Sequence, residues 1–178
     1  MACCPAATLP CWDEDRKTTQ AWTDAAGASR WLAAVVQVDG RFFWTRTKIP
    51  DEIWRQFLPR EDEQIGGQEL MAVPLLLGTF GEMFKDSLLM LAIDNSGVVG
   101  SLIAGRGSAE DHNAAIAKTW LNFAALCVAP HFVRVETSCN VADGPTRENL
   151  HFMERLQATW CEPRWPEWAR DFWRIQPE

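Results

Sequence analysis

The sequence predicts an α/β domain with a mixed sheet, and three observations indicate it. Two strand-like runs, Trp31–Val38 and 41–47, flank an Asp-Gly pair, which is typical of an antiparallel hairpin with a tight turn. Leu88–Ile93 is an unbroken apolar run that ends at Asp94, the pattern of a strand buried on both faces in a parallel sheet. Segments with helical periodicity separate this strand from the hairpin and from a last strand at 132–136.

Composition and charge are those of an ordinary globular domain. The chain has 178 residues, of which 47% are hydrophobic and 23% charged, enough for one domain with a sizeable core. Its formal charge of −7 argues against a strongly basic nucleic-acid binder whose affinity depends on Lys and Arg alone. Metal ions held by several of the acids would offset part of that charge.

Cysteine usage and the terminal segments indicate an intracellular protein, cytoplasmic or nuclear. Six cysteines occur without a C-x-x-C pair or zinc-type spacing, which favours reduced thiols. No signal peptide or membrane span is expected, so no membrane partner is predicted. The predicted organisation is a leader or linker at 1–19, a folded domain at 20–160 and a Trp-rich tail at 161–178.

The first half of the chain is predicted to contain a three-stranded meander and two helices. A short strand at 20–27, carrying Asp24, precedes the hairpin and completes the meander. A short helix is expected at 51–57. A longer helix from about Gly66 to Phe80 keeps one apolar face, and Pro74 within it should kink it or shift its first turn.

The second half alternates helices with one strand. Helices are predicted to begin near Asn95, Ser108, Gly144 and Pro166. Ser108 and Asp111 resemble a capping box, and Pro130 is expected to end the helix that follows them.

Two of the acids are predicted to be neighbours in the sheet. Asp94 stands at the carboxyl edge, where α/β folds gather ligands, and Asp24 would be costly in an apolar strand without a partner. Right-handed crossovers would place the Asp94 strand and the 132–136 strand on either side of the Asp24 strand.

Four short motifs resemble those of ribonuclease H domains in gypsy-class and DIRS-class retrotransposons. The segments are 23–27, similar to the family's D-A-S-x-x-G strand; 68–72, similar to its E-L-x-A helix; 93–96, similar to its second-Asp strand; and 140–147, similar to its N-x-A-D-x-x-S-R segment. Ala26 and Thr146 stand where Ser is commoner. The resemblance spans about residues 20 to 150 and implies a five-stranded mixed sheet, strand order 3-2-1-4-5, flanked by helices.

The resemblance implies a metal-dependent endonuclease that cuts the RNA strand of RNA/DNA hybrids. The implied catalytic and metal-holding carboxylates are Asp24, Glu69, Asp94 and Asp143. They would hold two Mg²⁺ ions, with Mn²⁺ as a substitute, for a two-metal hydrolysis. Candidate substrate contacts are Asn95, Ser96, Arg106 and Arg147. An upstream reverse transcriptase domain is an expected partner.

Other interpretations stay open. The loop His that cellular enzymes carry before the last Asp is missing from 137–142, which favours a catalytically silent connector or nucleic-acid-binding domain beside a reverse transcriptase. A related nuclease with another substrate is a third hypothesis. Asp94 and Asp143 could instead cap helices, and Arg147 could be an ion-pair partner. Glu69 could be an acid that interacts favourably with the dipole of a helix near its N-terminus.

Overall fold

A six-stranded mixed sheet forms the centre of the computed structural model, which describes residues 16–59 and 64–173. The strands are β1 (Thr18–Ala26), β2 (Trp31–Val38), β3 (Arg41–Lys48), β4 (Leu88–Ile93), β5 (Ala129–Arg134) and β6 (Thr159–Trp160). The helices are α1 (Asp51–Trp54), α2 (Ile65–Phe80), α3 (Ser96–Ala104), α4 (Glu110–Ala125), α5 (Asp143–Thr146) and α6 (His151–Arg155). The molecule is therefore an α/β fold, as the sequence predicts.

The strand order is β5-β4-β1-β2-β3-β6. The first five strands follow the expected order 3-2-1-4-5, but the expected number of five strands is wrong. Strand β6 adds to β3, whose outer edge would otherwise be open, and Cys161 N extends this pairing to Trp44 O at 2.9 Å. A two-residue strand carries almost no periodic signal, so the sequence could not indicate it.

Strands β4 and β5 lie on the same side of β1, so the expectation that they flank it is wrong. The other edge of β1 is hydrogen-bonded to β2 from Gln20 to Ala26. Because β4 occupies the remaining edge of β1, β5 adds to the free edge of β4. These two strands pair in parallel from Leu88 to Ile93.

The hairpin of β2 and β3 matches its prediction. Asp39 and Gly40 both have positive φ, 49° and 74°, which is the conformation of a type I′ turn. The turn sets a register in which Val38 faces Arg41 and Trp31 faces Lys48.

Helix α2 is the central helix of the core. It packs on β1 and β2 and also contacts α3 and α4, so twelve of its sixteen residues are buried. The prediction of a single apolar face therefore underestimates its burial. The helix continues through Pro74 to Phe80.

Three predictions for the second half of the chain are wrong in detail. Helix α4 has no side-chain cap, because its N-cap residue is Ala109 and not Ser108. The Asp111 carboxylate accepts hydrogen bonds from Leu58 N at 2.9 Å and from His112 N at 2.8 Å. Pro130 lies inside β5, an edge strand that tolerates a missing donor. The last predicted helix is split into α5 and α6, and Glu148, with φ of 62°, lies between them.

The Trp-rich segment packs against the main core. Ala169 and Phe172 are buried in it, and the Trp168 indole donates to Asn122 Oδ1 at 3.1 Å. A 3₁₀ turn at Glu167–Asp171 follows Pro166, where a short helix was expected. At the other end, β1 begins at Thr18, inside the predicted leader, and residues 1–15 of that leader lie outside the described residues.

Candidate metal centre

Three carboxylates meet at the carboxyl edge of the sheet. Asp24 is near the end of β1, Asp94 follows β4 directly, and Glu69 lies in the second turn of α2. Each offers an oxygen, and these oxygens all lie within 4.8 Å of one another. The parallel register pairs Trp22 with Ala92, so Asp24 and Asp94 two residues further on arrive together. Helix α2 packs across β1 and brings Glu69 to them.

The three acids have unmet polar requirements. Asp24 is 3% exposed and Glu69 6%, while Asp94 is half-buried. Glu69 Oε2 and Asp94 Oδ1 are inaccessible to solvent and have no hydrogen-bond partner. Buried carboxylate oxygens without partners are costly, and mutual repulsion adds to the cost. A divalent cation would satisfy both requirements, so the triad is close enough and of the right chemistry to bind one.

Burial and mutual repulsion shift the pKa values of two of these acids upward. Burial, followed by the charges of Asp24 and Asp94, raises the pKa of Glu69 from 4.5 to about 9. Burial also raises the pKa of Asp24 from 3.8 to about 6, against the opposing hydrogen bond from Thr146. Without a cation, Glu69 therefore retains its proton at neutral pH.

Two polar side chains beyond the predicted set hold Asp24. The Thr146 hydroxyl donates to Asp24 Oδ2 at 2.5 Å, and Asn140 Nδ2 lies 3.4 Å from Oδ1 and donates to Thr23 O at 3.0 Å. Both residues are buried. Both lie in the 140–147 motif, which predicts no role for either side chain. Their position three residues either side of Asp143, in a segment already matched to an acid, was the available signal.

Asp143, the fourth predicted acid, does not join the three-carboxylate group. It begins α5, and its Oδ1 accepts a hydrogen bond from Arg147 Nε at 2.7 Å. It is nevertheless near the group, because its charge contributes to the raised pKa of Asp24. The structure thus brings together three of the four predicted carboxylates and places the fourth beside them in an ion pair.

Two of the predicted substrate contacts, Asn95 and Ser96, directly follow Asp94 at this edge. Asn95 caps α3, since its Oδ1 accepts from the backbone N of Gly97 and Val98 at 3.0 and 3.1 Å. Ser96 and Arg106 are exposed at the two ends of α3. A groove of about 190 Å³ lies between the first turns of α2, α3 and α4, next to Asp94. Its polar lining includes Asn95, Ser101 and Ser108.

No family model matches the chain, and no curated protein is similar to it in sequence. The ribonuclease H assignment stays a prediction from the motifs. None of the helices in the described ranges is long and apolar enough to cross a membrane.

Proposed function

We propose that this domain is a metal-dependent endonuclease of the ribonuclease H type that hydrolyses the RNA strand of RNA/DNA hybrids. One observation supports the proposal most: three carboxylates from distant parts of the chain converge within 4.8 Å, and two of their oxygens are buried without partners. A fold without a cation has no physical reason to keep such a group. The strand order of β1 to β5 supports it further.

Asp24, Glu69 and Asp94 would hold Mg²⁺, since hard cations prefer carboxylate oxygens and retain some of their waters. The chemistry that such ions would supply is activation of the attacking water and stabilisation of the leaving oxygen of a phosphodiester. Thr146 and Asn140 orient the Asp24 carboxylate for this. Asp143 is the proposed fourth carboxylate: Arg147 binds its Oδ1, which leaves Oδ2 for a ligand role.

The proposed substrate contacts recognise shape, phosphates and 2′-hydroxyls rather than base edges. Ser96 and the polar groove beside Asp94 can meet sugar hydroxyls close to the scissile bond. Arg106, exposed after Gly105 ends α3, can reach a phosphate. An upstream reverse transcriptase domain is the proposed partner in a retroelement polyprotein.

The direct test is cleavage of an end-labelled RNA/DNA hybrid in Mg²⁺, with RNA and DNA duplexes of the same sequence beside it. We expect internal cuts in the RNA strand of the hybrid only. Asp94→Asn and Glu69→Gln should each reduce the rate by at least a hundredfold, because each removes a charged cation ligand. Asp86→Asn is the matched control: it changes an exposed acid at the opposite end of β4 and should leave the rate unchanged.

Cleavage of the DNA duplex instead would contradict the RNA/DNA hybrid as the substrate but would still support metal-dependent phosphodiester hydrolysis. Absence of cleavage on all three substrates, with Mg²⁺ bound, would contradict the proposed function.

One observation favours a domain that does not cleave: Arg147 neutralises Asp143 at 2.7 Å and so removes a carboxylate from the cluster. The second candidate is therefore a catalytically silent domain of the same fold that binds nucleic acid beside a polymerase.

A further inference from the structure

Two cations and an indole lie on the sheet face that carries Asp24. The register places Asp24 opposite Ala33 of β2, and Ala33 opposite Arg46 of β3. Side chains in one such row point to the same face, and adjacent strands are about 4.8 Å apart, so the Cα atoms of Asp24 and Arg46 are separated by about 10 Å. The next row toward the carboxyl end of β3 pairs Trp31 with Lys48.

Both cations contact the same ring. The Arg46 guanidinium lies 4.5 Å from the centre of the Trp31 indole, and Lys48 Nζ lies 5.5 Å from it. Such contacts hold a cation over the ring face in a defined position. We call these three residues the Trp31 cation cluster. Its indole is half-buried beneath the charges, so it positions the cations and does not offer an open face for stacking.

The cluster carries more positive charge than the carboxylate beside it can compensate. The only carboxylate near Arg46 among the described residues is Glu148, at 4.0 Å. Lys48 is exposed and has no ion pair in the described part of the chain. By contrast, Arg30, stacked on Trp54, is paired with Asp51 at 3.2 Å. In a chain with a net charge of −7, two adjacent cations that have one exposed carboxylate beside them, 4.0 Å from Arg46, indicate a site for an external anion.

The cluster is joined to the carboxylates through α5. Arg46 Nη1 donates to Pro145 O at 3.2 Å, and the next residue, Thr146, donates to Asp24. The Cα atoms of Asp24 and Arg46 are two strand spacings apart, about 10 Å, so the cluster lies beside the carboxylates and not among them. A polymer of phosphates that crosses this edge of the sheet can contact both.

We propose that the Trp31 cation cluster binds the phosphate backbone of the nucleic-acid substrate, a few nucleotides from the bond that is cut. This assignment rests on the proposed function, because it takes the carboxylates as the cutting site. Lys48 and Arg46 supply charge to phosphate oxygens, and Trp31 fixes where that charge stands. Contacts of this kind set register and affinity without reading sequence.

The test is equilibrium binding of a fluorescent RNA/DNA hybrid, in Ca²⁺ in place of Mg²⁺, with strand integrity checked on a gel. Affinity is measured over a range of salt for the wild type, Lys48→Glu and Lys85→Glu. Lys85 is an exposed lysine in the turn before β4, at the opposite edge of the sheet, and is the charge-matched control. Lys48→Glu should weaken binding about tenfold and reduce the slope of log K against log salt by about 1. Lys85→Glu should match the wild type.

A second variant, Trp31→Leu, keeps both charges and removes the ring. It should weaken binding by roughly threefold, because cations that the ring no longer positions lose side-chain freedom when they bind. Equal affinity and salt slope for Lys48→Glu and Lys85→Glu would overturn the proposal, whatever the cleavage assay shows. Failure of the wild type to bind hybrid would also overturn it. Binding that depends on Lys48, together with no cleavage in Mg²⁺, would support the cluster and contradict the nuclease function.

Discussion

Glu69 lies in the second turn of α2, 6% exposed, with one carboxylate oxygen lacking a hydrogen-bond partner. Asp24 and Asp94 face it, so ionising all three without a cation places like charges in a poorly solvated space. At this scale the centre is a set of acids that destabilise the metal-free domain and become ligands when a cation arrives.

The first prediction concerns stability and pH in the absence of metal. Between the ordinary pKa of Glu69, 4.5, and its folded value of about 9, the folded chain keeps a proton that the unfolded chain has lost. The free energy of unfolding should therefore fall as pH rises through that window, by at most about 1.4 kcal/mol per pH unit for each such group. Asp24 adds to the fall between 3.8 and about 6.

Urea denaturation in a chelator from pH 5 to 9 measures this dependence. Glu69→Gln should remove most of the fall between pH 6 and 9, and saturating Mg²⁺ should also remove it, because the carboxylates are then ligands. A profile that is flat in the chelator, or equally steep with Mg²⁺ present, would be inconsistent with the proposed centre.

The second prediction concerns Asp94→Asn and the stabilisation that a cation gives. Mg²⁺ at about a hundred times its dissociation constant should stabilise the domain by about 2.7 kcal/mol. For a domain of this size that corresponds to a rise of roughly 5–10 °C in Tm. Asp94→Asn should lose most of the rise, while Asp86→Asn should keep it. An equal rise in both variants, measured by thermal denaturation, would place the bound ion elsewhere.

At the residue scale, the sequence predicted the acids better than their partners. Asp24 and Asp94 can be recognised as candidate site residues because an acid within or after a buried apolar strand is unusual. No sequence pattern distinguishes Thr146 and Asn140, because buried hydroxyls and amides recur throughout protein cores. The sequence allowed Arg147 to be an ion-pair partner but did not indicate its partner, which is Asp143 at i,i+4 spacing.

At the scale of elements, α5 is the piece that connects the site to the rest of the sheet. Helices this short have little stability of their own, so α5 depends on contacts with β1 and β2. Thr146→Val should remove the hydroxyl that donates to Asp24 and leave a buried carboxylate oxygen without a partner. We expect a loss of about 1–3 kcal/mol in the free energy of unfolding and a weaker affinity for Mg²⁺.

Thr146→Ser is the matched control, because it keeps the hydroxyl and removes only a methyl group. Its affinity for Mg²⁺ should stay within about twofold of the wild type, measured by titration calorimetry. If Val and Ser variants lose affinity equally, the methyl packing of Thr146 matters and its hydrogen bond to Asp24 does not.

Elements with strong local signals were predictable, and those decided by distant partners were not. The β2–β3 hairpin follows from Asp39-Gly40, and β4 from its unbroken apolar run. The start of α4 was predicted with the wrong cap: its N-cap residue is Ala109, and the Asp111 carboxylate bonds to Leu58 N, a residue far away in sequence. Strand β6 exists because the edge of β3 is open, which no local pattern reveals.

At the scale of the whole molecule, the Trp-rich segment passes very close to helix α2 at Gly78. A Cβ atom at Gly78 of α2 would overlap the carbonyl oxygen of Arg164 and lie 2.8 Å from Pro166 Cδ. Gly78→Ala should therefore displace this segment and destabilise the domain by roughly 1–3 kcal/mol. Gly100→Ala, where a Cβ meets nothing within 4 Å in α3, should instead stabilise it by about 0.5–1 kcal/mol.

Urea denaturation of both variants checks the pair. If Gly78→Ala is as stable as the wild type, the close approach at Gly78 does not fix the position of the segment from Cys161 to Trp173. The fluorescence of its tryptophans reports the same event, since displacement exposes Trp165 and Trp168 to water.

The whole-molecule claim is that a parallel register and one packed helix bring Asp24, Glu69 and Asp94 to a single cation. Diffraction from crystals grown in millimolar Mn²⁺, recorded near the manganese absorption edge, tests this most directly. We predict an anomalous peak within coordination distance of all three carboxylates. A crystal that shows no peak there, or a peak only at other acids, would contradict the claim.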